Sequence, residues 1–349
     1  MTVYKNSIYA LDVILLQEFA MTLPRSQLIC ASETPYYHCI CRCVRRACLC
    51  GDDALTGKDY SHRKGWVLTR IALLAEVFTI EICAYAVMAN HYHLVIRINQ
   101  NKALRLSDQD VALRWGRLFS LPAIVEGWLK GQADNLESDL VQRQIALWRR
   151  RLADVSWYMR CLNEYIARQA NAEDGCTGRF WEGRFKSQAI LDDPGLLACM
   201  VYVDLNPLRA ALVSEPEASS DVSIYQRLDE LMSSQPKGGD KPPLLPFSNS
   251  HSELETLPCT LTDYLLLVDW TARARRNDKC GAIPADVPPI LVRLGIDHRE
   301  YLAAMKGRRF SRGTVIGKRA NAFLHAMATR RQRVIGTLLR SSMLHSVLR

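Results

Sequence analysis

His91 and His93 stand one residue apart in the apolar, strand-like run CAYAVMANHYHLVIR, Cys83 to Arg97. Alternate side chains of a strand share a face, so both imidazoles leave the sheet on one side. Imidazole is a common ligand for divalent metals, and two at this spacing can share one ion. Tyr92, between them, points the other way into packing. The same spacing also suits an ordinary polar strand face. A metal site therefore requires a third ligand, a nucleophile and a substrate surface elsewhere in the chain.

Tyr202 and Asn206, in the run YVDLN, are four residues apart and share a helix face. A tyrosine hydroxyl has a pKa of about 10. It acts as a nucleophile only when a base or metal activates it or the leaving group is assisted. The asparagine carbonyl oxygen can be a third ligand to a hard cation. Two imidazoles and one amide oxygen leave positions where a phosphodiester oxygen could meet Mg²⁺ or Mn²⁺. By themselves, the two residues fit better as a core aromatic and a helix-end residue before Pro207. A third segment, CTGRFWEGRFKS from Cys176 to Ser187, interleaves Arg179, Arg184 and Lys186 with Phe180, Trp181 and Phe185. Cations meet phosphates, and aromatic faces stack on unpaired bases. A buried tryptophan flanked by surface charge accounts for the segment equally well.

The elements that must position these groups are legible from periodicity. Thr34–Val44 reads as a strand, followed by Arg45 and Arg46. Trp66–Phe78 reads as a helix on the spacing of Val67, Ile71, Leu74 and Val77. Glu81–Met88 and Tyr92–Ile98 read as a hairpin turning at Ala89–Asn90. Residues 99–154 form a polar, helix-leaning insertion, and Val155–Ala172 is a second helix. Gly183–Leu191 is a fourth strand. A helix capped by Asp192 or Asp193, with Pro194 first, runs to Asn206. The order β-α-β-β-α-β-α predicts an α+β, ferredoxin-like antiparallel sheet with helices on one face and the other face free for ligand.

Residues 1–30 read as an N-terminal extension, with Met21 as a second plausible start. Residues 31–214 form the principal domain. Residues 215–255, rich in Ser, Pro, Gly and charge, read as a linker. Residues 256–349 read as a basic, mainly helical region. No acidic residue follows Glu300, while Lys306, Arg308, Arg309, Arg312, Lys318, Arg319, Arg330, Arg331 and Arg333 do. Such a run suits phosphate contact or a solvated tail.

The chain has 349 residues, 48% of them apolar, and a net charge of +9. That composition supports a sizeable core and favours a polyanionic partner. No apolar run is long enough to span a bilayer, and the N-terminus lacks the pattern of a signal peptide. A cytoplasmic setting is therefore expected. Cys39, Cys41, Cys43, Cys48 and Cys50 lack the paired Cys-x-x-Cys spacing of structural zinc, so reduced, buried thiols are expected. A metal-dependent hydrolase barrel needs repeated strand–helix units and further ligands at later strand ends, whereas His251, His298, His325 and His345 lie in linker or basic helical sequence. Metalloprotease and deaminase signatures are missing.

Three motifs carry a resemblance. MANHYHLV at 88–95, GRFWEGRFKS at 178–187 and YVDLNPLRA at 202–210 together resemble the single-tyrosine HUH transposases, closest to the REP-associated branch and its insertion-sequence relatives. The resemblance covers about Pro35–Val213. It implies a catalytic HUH domain in which His91 and His93 bind Mg²⁺ or Mn²⁺, Asn206 is the third ligand and Tyr202 is the nucleophile. It also implies cleavage and rejoining of single-stranded DNA near hairpins, through a 5′-phosphotyrosine that leaves a 3′-hydroxyl. DNA contacts are then expected from Arg45, Arg46, Arg179, Trp181, Arg184 and Lys186. The protein would be a monomer or homodimer at the bacterial nucleoid. The alternative is a domesticated, non-catalytic hairpin-DNA-binding protein of the same fold.

Overall fold

A computed structural model describes residues 24–44, 49–53, 57–132, 135–209, 221–232, 241–248, 255–276, 287–305, 310, 313–329 and 334–339. The architecture is α+β, built on one six-stranded mixed sheet in the order β2-β3-β1-β4-β5-β6. Strands β1 (Tyr36–Arg42), β2 (Ile80–Val87), β3 (His91–Ile98) and β4 (Lys186–Ile190) each pair antiparallel with their neighbours among them. Strands β5 (Val315–Lys318) and β6 (Gly336–Leu339) add to the β4 edge in parallel. The expected antiparallel sheet is thus extended by two parallel strands, supplied by the mainly helical C-terminal region. Within that region the run from Val315 starts as β5 before turning helical, because Val315 and Ile316 are β-branched and fully buried beside β4.

The helices, in chain order, are α1 (Arg25–Leu28), α2 (Arg63–Val77), α3 (Gln100–Arg105), α4 (Asp108–Gly116), α5 (Ala123–Leu129), α6 (Asn135–Leu152) and α7 (Val155–Glu173). They continue with α8 (Asp193–Asp204), α9 (Asn206–Arg209), α10 (Ser223–Met232), α11 (Leu261–Arg276), α12 (Pro289–Arg293), α13 (His298–Met305) and α14 (Arg319–Ala328). No described helix is long and apolar enough to cross a membrane.

The sheet has a core on each face. On one, Tyr37, Cys39, Cys41, Tyr92, Leu94 and Ile96 meet α2 and α7, which bury Val67, Ile71 and Leu74 and Tyr158, Leu162 and Ile166 at helical spacing. Asp154 caps α7 by accepting from the backbone of Ser156 and Trp157. The insertion, α3 to α6, extends this same core. Trp115 stacks on Trp148 at 5.5 Å and meets Trp157 edge-on at 5.6 Å. Cys39, Cys41, Cys43 and Cys50 are buried free thiols here. Burial pushes the Cys39 and Cys41 thiols up to about 12, as apolar packing requires. Cys48 lies outside the described residues.

The opposite face is covered rather than free. Helix α8 crosses it with every residue from Pro194 to Asp204 buried. Asp192 caps this helix at Gly195 and also accepts from Lys318 N and Asn321 Nδ2, both at 2.7 Å, tying α8 to β5 and α14. Gly195 and Gly317 touch here: a Cβ on Gly195 would lie 3.0 Å from Gly317 Cα. The described parts of the expected linker pack on this face as well. Arg227 of α10 is buried and donates to the carbonyls of Cys83 and Leu245 at 2.9 and 3.1 Å. Asp204 accepts from Ser223, Ile224 N and Tyr264. Scattered apolar positions such as Val222, Ile224 and Leu245 fill the gap over β2, although the surrounding composition is polar. Part of the expected N-terminal extension is also integral, since Arg25 sits 3.7 Å over the Phe185 ring and donates to Ser187 Oγ at 2.9 Å.

Candidate active site

The β2–β3 hairpin turns at Asn90 and delivers His91 and His93 to the α8 face. Their ring centroids are 4.9 Å apart, at 72°. Tyr92 goes the other way, fully buried, and its hydroxyl donates to Asn163 Oδ1 at 2.6 Å. His91 Nδ1 lies 2.7 Å from Asn90 Oδ1, and His93 Nδ1 lies 2.9 Å from His38 Nε2. Hydrogen bonding through Nδ1 makes Nε2 the nitrogen each ring would present to a metal. Burial, aided by the Arg42 charge, brings His91 down to about 4, so it is neutral at pH 7.

His38 is the residue that the sequence reading missed. It is fully buried, its ring lies within 16° of the His93 plane with centroids 5.1 Å apart, and its Nδ1 is 2.8 Å from Gln188 Oε1. Burial lowers it to about 4, against hydrogen bonds with Gln188 and the backbone of Phe310. The signal was present in the alternation of β1. If Cys39, Cys41 and Cys43 share one face, then His38, Ile40 and Arg42 share the other. The register sets Ile40 opposite His93 and Arg42 opposite His91.

Helix α8 carries Tyr202 to the same place. Its ring meets His93 edge-on at 5.9 Å and His38 edge-on at 6.2 Å. Phe310, from the C-terminal region, stacks on its other side at 4.7 Å. Tyr202 is only 5% exposed as a result. The helix does not run on to Asn206. It stops at Asp204, which is fastened into the C-terminal region, and Leu205 (φ −88°, ψ 8°) separates it from the short α9. Pro207 lies in the first turn of α9, where its missing N–H costs nothing, so it does not end a helix.

Among the described residues, no group of three or more His, Cys, Asp or Glu side chains could hold a metal ion. A third protein ligand would have to come from another residue type. Asn206 is buried, and its Nδ2 has no hydrogen-bond partner. A buried carboxamide with an unsatisfied end is costly unless something meets it. Turning the amide over brings the oxygen to the same point. Two imidazoles and a carboxamide are donor types that suit a divalent cation.

The segment 176–187 divides. Arg179, Arg184 and Lys186 are exposed. Lys186 precedes Gln188 by two residues in β4 and so shares the histidine face, as does exposed Arg42. Phe180 and Phe185 are buried, and half-buried Trp181 packs against Tyr92 while donating to the Asn163 carbonyl at 2.9 Å. They serve the core of the opposite face because β1 and β4 need cover there. Arg45 and Arg46 lie outside the described residues.

No protein-family profile and no curated protein matches the chain. Among solved structures, the chain is similar to a REP-associated tyrosine transposase bound to a REP hairpin, at 12% identity, covering 64% of this chain and 91% of that one. The TM-score is 0.31, a distant likeness that fixes neither fold nor chemistry.

Proposed function

We propose that the chain is a divalent-metal-dependent, single-strand DNA endonuclease and strand transferase of the tyrosine HUH type, acting near hairpins. One observation carries the reading: the Tyr202 ring stands 5.9 Å from the ring of His93, although the two are far apart in sequence. The strand order supports it. The first four strands run β-α-β-β-α-β in the order 4-1-3-2, as a ferredoxin-like sheet would require, and α8 follows β4. The catalytic domain would then be 31–214, with the C-terminal region laid over it.

Mg²⁺ or Mn²⁺ held by His91, His93 and Asn206 would polarise the scissile phosphate and stabilise its developing charge. Tyr202 Oη attacks phosphorus in line, and the bond to the 3′-oxygen breaks. The tyrosine proton leaves and the departing oxygen gains one, so the products are a 5′-phosphotyrosine and a 3′-hydroxyl. The phosphodiester energy is retained, and rejoining reverses the step without a nucleotide cofactor. Arg42, Lys186, Arg179 and Arg184 would hold the flanking backbone.

A second reading, hairpin-DNA binding without cleavage, draws on the cover that Phe310 places over Tyr202. The two separate on labelled single-stranded hairpin DNA with Mg²⁺ or Mn²⁺. The proposed activity gives a denaturation-resistant protein–DNA adduct that Tyr202→Phe abolishes. Hairpin binding with no adduct from the unaltered protein favours the second reading.

A further inference from the structure

Behind the histidine pair lies a chain of buried polar groups that the proposed reaction does not itself use. Gln188 Oε1 is 2.8 Å from His38 Nδ1, and His38 Nε2 is 2.9 Å from His93 Nδ1. The three residues are 1%, 0% and 2% exposed, so solvent cannot replace a lost partner within the chain. Backbone pairing enforces the geometry: His38 and Gln188 are register partners between β1 and β4, and His93 lies one step diagonally from His38 across β3.

A neutral imidazole carries one N–H and one lone pair. His38 also hydrogen-bonds the backbone of Phe310; with its single N–H on Nδ1 and given to Gln188 Oε1, its Nε2 can only accept. His93 must then donate through Nδ1, which leaves the lone pair of His93 on Nε2. Reversal of the Gln188 amide reverses both contacts. His93 would then carry its proton on Nε2, where it could not bind a cation.

We propose that Gln188 and His38 are positioning residues that fix the Nδ1–H tautomer of His93 and so present its Nε2 lone pair to the cation. The proposal rests on the reading of His91 and His93 as a metal pair. Loss of such an orienting partner typically lowers metal affinity about 10- to 100-fold.

The test uses the full chain with ¹⁵N-labelled histidine. Long-range ¹H–¹⁵N correlation on metal-free protein reads the tautomers, and the electron paramagnetic resonance signal of free Mn²⁺ reads its affinity. The expected wild-type spectrum has both His38 and His93 protonated on Nδ1. Gln188→Met keeps the side-chain length but removes the acceptor. It is expected to mix the His93 tautomers and to weaken Mn²⁺ binding by about 10-fold. Gln188→Glu restores an acceptor and should preserve both the tautomer and the affinity. A wild-type His93 protonated on Nε2 overturns the proposal. So does a folded Gln188→Met variant with unchanged tautomer and affinity. Failure of the wild type to bind Mn²⁺ would overturn the metal reading, while the metal-free spectra still decide the relay.

Discussion

Phe310 lies nearly flat against Tyr202, with ring centroids 4.7 Å apart and planes 28° apart. The group proposed as nucleophile is thus covered by a residue from the far end of the chain. Before a DNA phosphate can reach Tyr202, this stack has to open. Aromatic pairs of this kind contribute about 0.5–1.5 kcal/mol beyond their buried area. Phe310→Ala should therefore speed adduct formation by about 2- to 10-fold, since about 1.4 kcal/mol is tenfold. Single-turnover cleavage of hairpin DNA reads the effect. An unchanged or slower rate would show that Phe310 does not restrain the site.

Asp204, two residues after Tyr202, fastens the end of α8. Its carboxylate accepts from Ser223, Ile224 N and Tyr264, and joins α8 to α10 and α11. Asp204→Ala leaves these buried donors without an acceptor. A loss on the order of 3 kcal/mol is expected, because each orphaned buried group costs about 1–3 kcal/mol. Urea denaturation measures it, and a midpoint within error of wild type would contradict the role.

Much of this arrangement was legible in the sequence and some was not. The first four strands, the hairpin and a cap at Asp192 or Asp193 follow from alternation, turn residues and capping chemistry, which are local properties. Tyr202 and the histidine pair could be brought together only through the topology and the motif resemblance. His38 went unnoticed because its strand drew attention for its cysteines. The C-terminal cover was missed for a different reason. Its contacts with α8, such as Tyr264 on Asp204 and Phe310 on Tyr202, join residues far apart in the chain. Composition alone makes that region look like a linker and a basic tail. For Phe180, Trp181 and Phe185 the sequence left base stacking and core packing equally open, because nothing local reveals which face of the sheet they cover.

Acid should destabilise the metal-free protein earlier than ordinary carboxylate titration would. His38 is held to about 4, below its usual 6.5. As pH falls through 6.5 the unfolded chain takes up a proton that the folded chain refuses until about 4. Stability from this group is complete above 6.5, declines between 6.5 and 4, and is flat below. The limiting slope is about 1.4 kcal/mol per pH unit, or on the order of 3 kcal/mol in all. His91 shifts in the same direction. Urea midpoints at pH 7 and pH 5 check this; equal midpoints would mean that neither imidazole is desolvated as described.

Cleavage and binding should separate. Replacing His91 and His93 together by alanine is expected to abolish the adduct while changing hairpin affinity little, because phosphate contacts supply most of that affinity. Arg42→Ala should instead weaken binding and reduce the dependence of log affinity on log salt by about one. Fluorescence anisotropy across a salt series measures both. Equal losses of binding and cleavage in the double-histidine variant would point to a role in folding.

The most direct test of the account is to locate the covalent link. Hairpin DNA is cleaved in the presence of Mn²⁺, the adduct is digested with trypsin, and the modified peptide is sequenced by mass spectrometry. The expected result is a 5′-phosphate on Tyr202 and a free 3′-hydroxyl on the released strand. Attachment to Tyr158 or Tyr165, which belong to the core on the other face of the sheet, would contradict the proposed site. So would the absence of any phosphotyrosine on DNA that the protein binds.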